Sequence, residues 1–134
     1  MSFFNIMGVS ATGMSAQRIR ISTISANLAN AQTTKTAEGG PYKRKDVVFQ
    51  TLMEGENRGG VKVDRVVTDQ KAPLLKYEPE HPDANEEGYV AYPNVNPIEE
   101  MVNMLDASRN YEANTTVLNT AKQLALRALE IGKA

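Results

Sequence analysis

Asn96-Pro97-Ile98-Glu99-Glu100-Met101-Val102-Asn103-Met104-Leu105 opens a run that continues without glycine or proline until Gly132, and this run decides the fold of the chain. Asn96 is a capping residue type, Pro97 suits the first helical position because its missing N–H would go unpaired there anyway, and Glu99 stands where a capping box needs its acid. The spacing predicts one helix of about 34 residues, or ~50 Å at 1.5 Å per residue, much longer than a compact domain of this size requires. Its second half carries Val117, Leu118, Ala121, Leu124, Ala125, Leu126, Ala128, Leu129 and Ile131, leaving few polar faces. A helix that is apolar nearly all round must be covered on several sides, and one partner helix covers only one. Lys122 and Arg127 argue against a membrane-spanning role, so assembly with other molecules is the expectation.

The opening of the chain mirrors this. Met7, Met14, Ile21 and Leu28 recur every seven residues, with Ile24 on the same side, which places an apolar seam along one helix face. Gly8 and Gly13 weaken its start, since glycine costs ~1 kcal/mol against alanine inside a helix. A firm helix is therefore expected from about Met14 to Asn30, with a looser beginning. Between the ends, Val47-Val48-Phe49 and Val61, Val63, Val66 and Val67 read as strands around the turn Glu54-Gly55-Glu56-Asn57-Arg58-Gly59-Gly60. From Tyr77 to Asn96, Pro79, Pro82, Pro93 and Gly88 limit the chain to ordered loop or short edge strands. The fold class expected is α+β: long N- and C-terminal helices paired as an antiparallel coiled coil, with a small central β-rich insert. The divisions are 1–31, 32–96 and 97–134.

Composition narrows the function. Fifteen Lys and Arg against sixteen Asp and Glu give a formal charge of -1, without the basic excess of a nucleic-acid binder. The one dense basic run, Lys43-Arg44-Lys45, is closed by Asp46. Cysteine is absent, which removes disulfides, thiolate metal sites and thiol nucleophiles. The first ten residues lack the pattern of a cleaved signal peptide, and no apolar run reaches the ~18 residues of a membrane span. His81, in Glu78-Pro79-Glu80-His81-Pro82-Asp83, has no second nitrogen or sulfur ligand nearby, so a solvated loop histidine is the better reading than a metal site. Asp106, Ser108, Arg109 and Glu112 lack a base for the serine, and at helical spacing they form i,i+3 ion pairs. No catalytic, metal or cofactor site is expected. Asn27 and Asn30, three apart at a helix end, allow two readings: a C-cap with a solvated face, Asn tolerating the left-handed conformation, or amides that tie two backbones together.

Ser25-Ala26-Asn27-Leu28-Ala29-Asn30-Ala31 resembles the N-terminal signature of the flagellar basal-body rod and hook proteins. Tyr77 to Asn85, Gly88-Tyr89-Val90, Tyr92 to Asn96, Ala107 to Asn114 and Val117 to Lys122 resemble the proximal-rod branch of that family, and the resemblance spans the whole chain. It implies a structural subunit of the bacterial flagellar basal body, in the rod that crosses the periplasm, exported without a cleaved signal peptide and carrying torque from rotor to hook and filament. The implied partners are copies of itself, rod proteins of the FlgB, FlgF, FlgG and FliE types, and the flagellar type III export apparatus. A rod subunit of the FlgB or FlgF type is the alternative. The expected subunit interface comprises Met14, Ile21, Asn27, Leu28, Asn30, Met101, Leu105, Tyr111, Leu118, Leu124 and Leu129. Within the subunit, Leu28 is expected near Met101 or Leu105, and Met14 near Tyr111 or Leu118.

Overall fold

A computed structural model describes residues 2–133. Two helices enclose two small hairpins in the order α1 (Phe3–Ala29), β1 (Lys45–Thr51), β2 (Val61–Thr68), β3 (Leu74–Tyr77), β4 (Tyr89–Tyr92) and α2 (Pro97–Gly132). The expected α+β architecture, with long terminal helices around a β insert, is what forms. β1 and β2 pair antiparallel around the Glu54–Gly60 turn, with a bulge at Val48/Phe49. The proline-rich stretch holds a second antiparallel hairpin, with Leu74 opposite Tyr92 and Tyr77 opposite Tyr89. Tyr77 and Tyr89 meet edge to face, and the Tyr92 hydroxyl donates to Glu78 at 2.8 Å.

α2 starts as its sequence indicates: the Asn96 side chain accepts from the Ile98 N–H at 3.0 Å, and Pro97 occupies the first turn. At 36 residues it is ~54 Å long. Glu99 makes no reciprocal capping bond among the described residues; its neighbour Glu100 turns inward instead. α1 is continuous from Phe3, not loose before Met14. Ser2 caps it, accepting from the Asn5 N–H at 3.1 Å. Its glycines are contact points rather than weak points. A Cβ on Gly13 would stand 2.8 Å from the Asn114 side chain, and Gly8 lies against Asn57 at the tip of the first hairpin. Tertiary packing thus outweighs the local cost of glycine.

The seam between the helices lies one residue away from the expected one. Asn27 meets Glu100, Gly13 abuts Asn114, and Ile6 shares a groove with Ala121, so each heptad forward along α1 matches a heptad backward along α2. The central lines are therefore Ile6, Gly13, Arg20, Asn27 and Glu100, Ala107, Asn114, Ala121. One residue is 100° of helix rotation. Met7, Met14, Ile21 and Leu28 consequently flank the contact and are half-buried, while Ser10, Gly13, Ala16, Ile24 and Asn27 are enclosed. Gly13, Ala107 and Ala121 on the central lines let the backbones approach, and larger side chains close over the edges. Met14 does share a groove with Tyr111 and Leu118, as expected. Met101 and Leu105, rotated off the line of Glu100 and Ala107, are 60% and 53% exposed.

Candidate assembly surface

Beneath the surface, the junction of α1, β1 and α2 is polar. Glu100, 1% exposed, and Asn27, fully enclosed, are among the largest buried side chains. Asn27 spends its amide within the chain: Nδ2 donates to the Lys45 carbonyl at 2.8 Å and to Glu100 at 3.1 Å, and Oδ1 accepts from the Lys45 N–H and the Tyr42 hydroxyl, both at 2.9 Å. Arg44 Nε donates to the other Glu100 oxygen at 2.5 Å. Burial opposes the Arg44 charge, but the hydrogen bond and charge of Glu100, helped by Asp46, hold its pKa above the ordinary value. Burial, then the Glu100 charge, pushes the Tyr42 hydroxyl up. Four side chains from three segments thereby satisfy one another, and such a fully connected network fixes a unique arrangement. Farther along the pair, Arg20 bridges Asp106 at 3.1 Å.

Of the two readings of Asn27, the amide tie is the one that forms, but inside the subunit rather than between subunits. Asn30 is the C-cap, with its backbone N–H donating to Ala26 and its side chain accepting from Thr33; its φ of -102° is not left-handed. Tyr42, Arg44 and Glu100 were not singled out from the sequence. For Glu100 the signal in the sequence is the heptad line Glu100, Ala107, Asn114, Ala121, whose small or polar members do not read as a buried face. His81 holds its own loop, accepting the Asp83 N–H on Nδ1 at 3.0 Å.

The apolar groups lie outside. Among the described residues, Ile98, Met101, Val102 and Leu105 are exposed along the outer face of α2, as are Leu124, Leu126, Leu129 and Ile131 near its end. Leu124 shares an apolar groove with Phe3, the first residue of α1, so residues 125–132 project ~12 Å beyond the helix pair. Phe4, at the start of α1, is 81% exposed. A compact monomer of 14.7 kDa exposes about 7,000 Å², whereas this chain exposes 9408 Å². That surplus, rich in leucine, isoleucine and phenylalanine, matches the class of subunits that complete their cores by assembling.

Comparison with known proteins agrees. The family model described as "Flagella basal body rod protein" matches residues 7–35, and that described as "Flagellar basal body rod FlgEFG protein C-terminal" matches residues 86–131. The chain is 41% identical to the flagellar basal-body rod protein FlgC of Bacillus subtilis, over 99% of this chain and all of the relative. It is 42% identical to FlgC of Salmonella typhimurium, again over 99% and 100%. FlgC of Borreliella burgdorferi matches at 41% identity over 98% of each chain. The chain belongs to the FlgC family of flagellar basal-body rod proteins. It is a structural proximal-rod subunit of the basal body that associates with other rod components; it is not an enzyme, and the FlgB or FlgF alternative is not favoured.

Proposed function

We propose that this subunit polymerises through its two terminal helices and transmits torque from rotor to hook and filament along the rod across the periplasm. The observation that carries this reading is the projecting end of α2, where Leu126, Leu129 and Ile131 are 51–77% exposed and α1 is too short to cover them. Met101, Leu105, Leu124 and Leu129 supply the outward interface. Met14, Ile21, Leu28, Tyr111 and Leu118, half-buried at the groove edges, support it from beneath. Asn27 and Asn30 contribute by holding the end of α1. The partners are other copies and rod proteins of the FlgB, FlgF, FlgG and FliE types, reached after export by the flagellar type III apparatus.

Leu124→Glu tests this. A carboxylate buried in an apolar contact costs several kcal/mol unless paired, and no basic partner faces Leu124 in its groove with Phe3, Ile6, Val117 and Ala121. The expected phenotype is a stable, exported protein in a non-motile cell without a completed rod. Normal swimming would refute the reading.

A further inference from the structure

The two apolar surfaces of α2 have matching dimensions and opposite charge. At the start of the helix, Ile98, Met101, Val102 and Leu105 follow the i, i+3, i+4, i+7 pattern and are 73, 60, 60 and 53% exposed. This stripe is ~10 Å long, and it lies on the side of α2 away from Glu100 and Ala107, hence away from α1. On the helix itself, residues 98–106 carry Glu99, Glu100 and Asp106 and no cation. Arg44 takes up Glu100 and Arg20 takes up Asp106, which leaves the charge of Glu99 beside the stripe. At the far end, the projecting segment is ~12 Å long and carries Leu126, Leu129 and Ile131, with Arg127 and Lys133 against Glu130.

We infer that the stripe Ile98, Met101, Val102 and Leu105 is a docking site for the basic, apolar C-terminal helix end of a neighbouring rod subunit, of the kind this chain itself presents at residues 124–133. Three features favour that occupant. The lengths agree. The charges are complementary, which fixes register and excludes like-charged ends. The two surfaces also sit at opposite ends of one ~54 Å helix, so end-to-end pairing between them is heterologous and propagates along an axis. The inference rests on the rod reading and specifies which surface of α2 is used axially.

A photoreactive phenylalanine analogue at Met101, and separately at Ile98, tests it in cells that assemble the full chain, with the analogue at Glu80 as control. Both test positions are exposed in the subunit, so folding does not depend on them. After irradiation of isolated basal bodies, mass spectrometry maps the attachment point. The expected adduct joins residue 98 or 101 to the last helical turns of a second rod subunit, whether another copy or a sister chain, and is absent from Glu80. Attachment to an N-terminal helix, to a hairpin or to a protein outside the rod would overturn the inference, as would no adduct from an incorporated chain. Presence of the unsubstituted chain in basal bodies checks the rod reading separately, so the two can fail independently.

Discussion

Replacing Glu100 by Gln probes the polar junction with little change in volume. The Asn27 amide keeps its acceptor, but the oxygen that receives Arg44 Nε at 2.5 Å becomes an NH2 group facing a donor. Breaking a buried ion pair by removing one partner costs about 3–5 kcal/mol. Arg44 is 21% exposed and keeps Asp46 at 3.4 Å, so the lower end, about 3 kcal/mol, applies here. At about 2.1 cal/mol/K per residue, 134 residues give an unfolding entropy near 0.28 kcal/mol/K, and the loss lowers Tm by about 11 °C. With a urea slope of about 1.5 kcal/mol/M, the midpoint falls by about 2 M. Circular dichroism of the purified chain during urea titration measures both slope and midpoint. Adding Arg44→Met removes the opposed donor, so the double variant should recover about 2 kcal/mol, a coupling of the size that double-mutant cycles find between contacting residues. A loss below 1 kcal/mol for Glu100→Gln, or strictly additive effects in the pair, would refute the view that this network locks α1 to α2.

Gly13→Ala gains helix propensity of ~1 kcal/mol, but its new methyl meets Asn114 and overpacking costs about 1–3 kcal/mol. The single variant should be less stable than the parent in chemical denaturation, and combining it with Asn114→Ala should reverse the sign. Tyr42 has a folded pKa above the ordinary 10.0, so its contribution is complete below that value and is lost as pH rises through the folded pKa. Stability measured between pH 9 and 12 should therefore fall, and Tyr42→Phe should flatten the decline. His81→Ala removes one turn hydrogen bond, about 1 kcal/mol, and soft-agar swimming should stay near normal; lost swimming by a stable protein would assign that loop a functional role.

The extent of α2 and the end of α1 were legible because their causes are local, whereas the start of α1 at Phe3 was not. Asn96 and Pro97 set the start of α2, the absence of glycine and proline sets its length, and an all-round apolar second half demands outside cover. The Glu54–Gly60 turn likewise announces its hairpin. The inner line of the helix pair was not legible. Large apolar residues at heptad spacing mark a buried face in a simple coiled coil, but here they border a contact whose central lines, Ile6 apart, are glycine, alanine, asparagine, arginine and glutamate. The proposed interface residues divide the same way: Leu124 and Leu129 stand exposed, whereas Asn27 is committed inward.

By itself the sequence determined two terminal helices around a β-rich insert, a chain with more apolar helix surface than it can cover, and the family to which it belongs. These follow from capping residues, periodicity and hydrophobic accounting, which act within a few turns of the backbone. Only the tertiary structure decided the one-residue rotation of the seam, the passage of α1 through Gly8 and Gly13, and the enclosure of Glu100 by Arg44 and Asn27. Each depends on a partner distant in the chain: a buried carboxylate is stable only when a cation and an amide arrive from other segments, and a glycine is useful in a helix only when another backbone presses against it.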